Sequence, residues 1–134
     1  MNTKGIEMLS EVLWEWFGRA ESEILVISPY VGESALRDCL SGIGLGVRVT
    51  VVCSWRTANV TGEPPATSIE IYHLCNENGW TLRIEHDESS RVMHLKAYVI
   101  DDKSAMVGSA NMTRAGLSTN IEALIPSDVG FHQG

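Results

Sequence analysis

Ile6, Leu9, Val12, Leu13, Trp16 and Phe17 recur at steps of three and four, with Glu7, Glu11 and Glu15 on the opposite side. That period predicts an amphipathic helix over residues 3–20, stopped near Gly18. The pattern then changes. Ile24-Leu25-Val26-Ile27 is a short apolar run without alternation, which reads as a buried strand ending at Ser28-Pro29-Tyr30. A short helix is expected from Glu33 to Leu40, and Gly42, Gly44 and Gly46 break the chain before a strand over Val47–Cys53. After a loop punctuated by Gly62 and Pro64-Pro65, a helix is expected from Thr67 to Asn78, closed by Gly79. Strands follow at Trp80–Glu85, His94–Ile100, Ala105–Gly108 and Thr119–Ile125, with Asp101–Ser104 as a tight turn. Helices alternate with strands at first, and the strands then become consecutive. The expected class is α/β, a mixed sheet flanked by helices on both faces.

Size and charge bound what this fold can be. The chain has 134 residues, 44% of them hydrophobic and 20% charged, which suits one domain with its own core. The domain is expected over residues 1–126, with 127–134 as a tail. The formal charge of −7 excludes a globally basic nucleic-acid binder. The acid excess is local, however. Residues 1–40 hold seven acids against three bases, whereas residues 81–116 hold five of each. An anionic substrate therefore remains compatible with the second half. Cys39, Cys53 and Cys75 are odd in number and lack C-x-x-C spacing, so they read as core residues in a reducing compartment. No apolar leader or membrane span is evident, and a cytoplasmic location is expected.

One segment carries chemistry. His94-Leu95-Lys96 is followed, after four residues, by Asp101 and, after six more, by Gly108-Ser109-Ala110-Asn111. On a strand, His94 and Lys96 share a face, as do Ser109 and Asn111 on the returning strand. A hairpin at Asp101 would bring an imidazole, an ammonium, a hydroxyl and an amide together. That set suits a tetrahedral phosphate: Lys96 supplies a charged donor, Ser109 and Asn111 neutral ones. His94 can attack phosphorus if its other ring nitrogen is held, and Glu122, eleven residues after Asn111 in the chain, is the candidate acceptor. Taken singly, a strand histidine, a Gly-Ser turn and a strand glutamate are ordinary structural residues. Together and in order, they are not.

The stretch 94–111 resembles the HKD signature of the phospholipase D superfamily, His-x-Lys, four residues, Asp, six residues, Gly-Ser-x-Asn, without departure. Ile27–Tyr30, Val51–Arg56 and Asn111–Leu117 are similar to the phospholipase D-like domains of certain restriction endonucleases and helicase-associated proteins. The resemblance implies that His94 forms a phosphohistidine and that Lys96 and Asn111 clamp the phosphate with Ser109 assisting. It further implies that Glu122 orients the histidine and that no metal or other cofactor takes part. Asp101 is expected to brace its turn. Family sites need two such motifs and this chain has one, since His73, His86 and His132 lack a lysine two residues on. A homodimer sharing one active site is therefore expected. The chain also stops soon after Glu122, where family members often continue, so a piece of a longer protein is an open reading.

Two loops follow buried strands, where ligands gather in open α/β sheets. Arg56 there could meet a second phosphate, and Tyr30 or Trp55 could stack on a base. Equally, Trp55 could pack the layer edge with Arg56 reaching past it to solvent. The expected activity is that of a metal-independent nuclease acting on DNA or RNA, with an additional domain or partner protein offsetting the acidic charge. A phospholipase D-type lipid phosphodiesterase is the first alternative. It lacks support from any basic amphipathic helix, and no membrane partner is expected. A non-catalytic nucleic-acid-binding or dimerisation module is the second alternative, disfavoured by a motif that keeps all its polar groups.

Overall fold

The computed structural model describes residues 8–54, 66–85, 96–114, 116–117 and 123–128, with the backbone alone at 66–68 and 128. The elements are α1 (Leu9–Phe17), β1 (Glu23–Ile27), α2 (Glu33–Cys39), β2 (Arg48–Ser54), α3 (Ala66–Asn78), β3 (Thr81–Glu85), β4 (Ala97–Ile100), β5 (Ser104–Gly108) and β6 (Leu124–Asp128). Six strands make one sheet in the order β3-β2-β1-β4-β5-β6. The first three are parallel, and β4, β5 and β6 add to β1 as an antiparallel meander. The expected mixed sheet is therefore present.

Period decides which side chains go inside. Each helix buries positions at three- and four-residue steps: Leu13, Trp16 and Phe17 in α1, Ala35, Leu36 and Cys39 in α2, and Ile71, Leu74 and Cys75 in α3. They meet alternate strand residues, Ile24 and Val26, Val49, Val51 and Cys53, Tyr98 and Ile100, and Met106. The three cysteines are thus free and buried, as expected.

The three described helices share one face of the sheet. Chain β1-α2-β2-α3-β3 steps outward in one direction, and crossovers of one hand then place α2 and α3 on the same side. Helix α1 joins them, with Phe17 edge-on to Tyr98 at 6.3 Å. On the other face Leu25, Ile27, Val52 and Val99 are half-buried, and Val107 and Ile125 are exposed.

The last strand also differs from its expected place. It runs Leu124–Asp128 rather than ending at Ile125, and it passes the expected domain boundary. It includes Pro126, which an edge strand tolerates because one side needs no N–H. The earlier part of that expected strand, 119–122, lies outside the described residues.

The β4–β5 turn has Asp101 and Asp102 at φ 55° and 56°, with Lys103 N–H donating to the Ile100 carbonyl at 3.0 Å. Positive φ at both central residues matches the right-handed twist of a hairpin, and aspartate tolerates it better than most residues.

Candidate active site

The motif sits where β4 begins and β5 ends, at the carboxyl end of β1 and β2. The Lys96 carbonyl accepts a hydrogen bond from Gly108 N–H at 3.2 Å, which fixes the two chain ends side by side. A side chain at Gly108 would run into the Ala123 carbonyl, so only glycine lets β6 approach here. Ser109 N–H then donates to the Ala123 carbonyl at 3.0 Å, and Ser109 Oγ accepts from Ala123 N–H at 3.2 Å. With Oγ used as an acceptor, its hydrogen is left to donate elsewhere.

The next residues are clamped from below. The buried Tyr98 hydroxyl donates to the Ala110 carbonyl at 2.7 Å. Without it that buried carbonyl would be unsatisfied, at a cost of about 1–3 kcal/mol. Burial pushes the Tyr98 phenol up, and the neighbouring Ser28 side chain offsets part of that rise. The loop leaving β1 holds Met112: its N–H donates to Ser28 Oγ at 2.9 Å and its carbonyl accepts from Gly32 N–H at 2.8 Å. Between these anchors stands Asn111, its Oδ1 3.1 Å from Ser28 Oγ. Beyond it, Thr113 N–H donates to the Asn111 carbonyl at 2.8 Å, and Gly116 N–H donates to Thr113 Oγ1 at 2.9 Å. A Cβ on Gly116 would lie 2.5 Å from the Asn111 carbonyl oxygen.

Of the residues singled out in the sequence, Lys96, Ser109 and Asn111 come together at this end of the sheet. Among the described residues, neither the Lys96 ammonium nor the Asn111 amide nitrogen has a hydrogen-bonded or ionic partner. His94, Glu122, Trp55 and Arg56 lie outside the described residues. Tyr30 is 45% exposed at the rim, and its carbonyl accepts from Ser28 Oγ at 2.7 Å.

Asp101 is elsewhere. Five residues of strand separate it from Lys96, about 16 Å. Its carboxylate accepts from the Glu21, Ser22 and Glu23 amides and from the Ser22 hydroxyl, and so ties the α1–β1 connection to the hairpin. Desolvation works against its ionisation, yet these donors outweigh it and hold the carboxyl at about 2.

Two other chemistries are disfavoured. Burial pushes Cys53 and Cys75 to about 11, and burial with Asp38 pushes Cys39 to about 12, so a thiolate nucleophile is scarce at neutral pH. A cavity of about 640 Å³ is lined by Ser10, Glu11, Trp14, Glu15 and Asp38, but three carboxylates give it the wrong sign for a phosphodiester.

Sequence reading missed Ser28, Tyr98 and Gly116 as parts of this site. Ser28 offered one signal, a polar residue ending an apolar strand just before a proline.

Residues 13–128 match the family model described as cardiolipin synthase, PLD-like domain. The chain belongs to the phospholipase D superfamily. Comparison with proteins of curated function finds no match. Among solved structures, the chain is similar to Nuc, a phospholipase D family member from Salmonella typhimurium. That match has a TM-score of 0.68 and 21% identity over 89% of this chain and 75% of that one. It is also similar to phosphatidylserine synthase from Haemophilus influenzae, with a TM-score of 0.62 and 17% identity over 87% of this chain and 30% of that one. A third similar structure is TrmBL2, an archaeal chromatin protein with a novel mode of DNA binding. Its TM-score is 0.52, with 15% identity over 81% of this chain and 42% of that one. At these identities the likeness establishes a shared fold, a six-stranded mixed sheet with helices.

Proposed function

We propose that this chain is a nuclease of the phospholipase D superfamily, hydrolysing nucleic-acid phosphodiesters without a metal at a site shared by two copies. The observation that carries the reading is the meeting of Lys96, Ser109 and Asn111 at one end of the sheet. The Lys96 ammonium, the Ser109 hydroxyl hydrogen and the Asn111 amide are left for the oxygens of a phosphate.

In this reading a ring nitrogen of His94, oriented by Glu122, forms a bond to phosphorus while the bond to the leaving oxygen breaks. His94 of the second copy gives its proton to that oxygen. Water then attacks phosphorus and returns a proton to the second imidazole, and the nitrogen–phosphorus bond breaks to free the enzyme. Arg56, Trp55 and Tyr30 are the proposed contacts to further phosphates and bases. The half-exposed Tyr30 at the rim suits stacking.

TrmBL2, similar in fold, binds DNA, which supports the nucleic-acid reading. Phosphatidylserine synthase, also similar in fold, favours the lipid alternative. Against that alternative, the exposed face of α1 carries Glu11 and Glu15, the wrong sign for an anionic lipid surface. The test is incubation in excess EDTA with plasmid, single-stranded DNA, RNA, bis(p-nitrophenyl) phosphate and phosphatidylcholine vesicles. Undiminished cleavage of nucleic acid is expected. Turnover of the vesicles alone would select the lipid reading, and activity needing added magnesium would refute the mechanism.

A further inference from the structure

Ser28 is fully buried at the end of β1, eighty-three residues before Asn111 in the chain, yet the two side chains meet. Its hydroxyl oxygen takes the Met112 N–H at 2.9 Å, and its one hydrogen faces two acceptors, the Tyr30 carbonyl at 2.7 Å and Asn111 Oδ1 at 3.1 Å. A carboxamide has one oxygen and one NH2 group, so fixing the oxygen fixes where the NH2 group points.

We propose that Ser28 is a positioning residue: by engaging Asn111 Oδ1 it turns the Asn111 NH2 group outward as a donor to the substrate phosphate. This rests on the phosphodiesterase reading above. The physical need is clear from the opposite orientation. With the amide turned over, Oδ1 would face the non-bridging oxygens, and an attraction would become a repulsion. An unheld amide would sample both. The same hydroxyl also secures Met112, so a single buried atom fixes both the backbone after Asn111 and the direction of its side chain.

The experiment is a double-mutant cycle with Ser28→Ala, Asn111→Ala and the pair, measured on bis(p-nitrophenyl) phosphate, with thermal midpoints taken for each. Ser28→Ala is expected to lower kcat/KM about tenfold and Asn111→Ala about a hundredfold, the pair costing no more than Asn111→Ala alone. Losses that multiply would overturn the proposal, as would an unchanged or improved rate in folded Ser28→Ala. Should Ser28→Ala fail to fold, Ser28→Cys keeps the volume with a weaker donor and is held to the same non-additivity. A second readout is independent of turnover. The Asn111 side-chain NH2 pair in a 1H–15N spectrum should be sharp in the wild type and averaged in the Ser28 variant. Unchanged signals would refute the positioning role, whereas a wild-type chain with no turnover but the expected spectra would refute only the phosphodiesterase reading.

Discussion

At Asp101 a motif aspartate has its carboxylate committed to three backbone amides and a hydroxyl, far from the proposed phosphate donors. Asp101→Asn keeps the size and the tolerance of positive φ but halves the acceptors. The expected cost is about 1–2 kcal/mol of stability, with kcat unchanged, since the bonds are partly solvent-exposed. The sign of the pH effect follows from a carboxyl held at about 2 in the fold against an ordinary 3.8. The stabilisation is fully present above pH 3.8 and is lost as pH falls through about 2. Denaturant midpoints of wild type and variant should therefore converge over that window; a constant gap would show that the carboxylate charge is not what matters. His94→Ala should behave in the opposite way, with stability kept and turnover lost. Quenching wild type during hydrolysis of a labelled diester should trap acid-labile, base-stable label that the variant cannot form.

Between residues and the whole sheet, the segment after β5 is shaped by how closely its own backbone folds back. Thr113 bonds to the Asn111 carbonyl, and Gly116 lies against that same carbonyl with no room for a methyl group. Gly116→Ala has to push main-chain atoms of Asn111 aside, so it is expected both to lower the melting temperature and to lower kcat at least tenfold. Full activity in the folded variant would show that the aim of Asn111 does not depend on this close approach. The β1 exit loop acts on the same segment from the other side, through Ser28 and Gly32. Two elements remote in sequence thus share the task of aiming one amide.

At the scale of the molecule, the sequence holds one motif whereas the proposed reaction uses two imidazoles, and this is where the proposed dimer can be tested. Heterodimers of wild type with His94→Ala would hold one imidazole at a shared site. They should be nearly inactive after subunit exchange, so the variant is dominant-negative. Retention of half the activity would mean that each chain works alone. The charge of −7 acts at the same scale. With so few cationic contacts to offset it, affinity for nucleic acid should be weak and fall further with added salt. Tight binding at 200 mM salt would contradict this.

By itself the sequence determined the helix and strand periods, the buried cysteines and the motif. Each depends on spacing along the chain, and the ordering of Lys96, Asp101, Ser109 and Asn111 across a hairpin is such a spacing. Tertiary structure decided what distance in sequence conceals. One-directional crossovers put α2 and α3 on one face, a free edge admitted Pro126 into β6, and burial turned Ser28 from a loop residue into the partner of Asn111. The local sequence does not reveal these pairings, because each depends on which neighbour the completed sheet provides: one on the side each helix takes, one on an N–H that needs no partner, and one on a hydroxyl whose partner Asn111 lies eighty-three residues further along the chain.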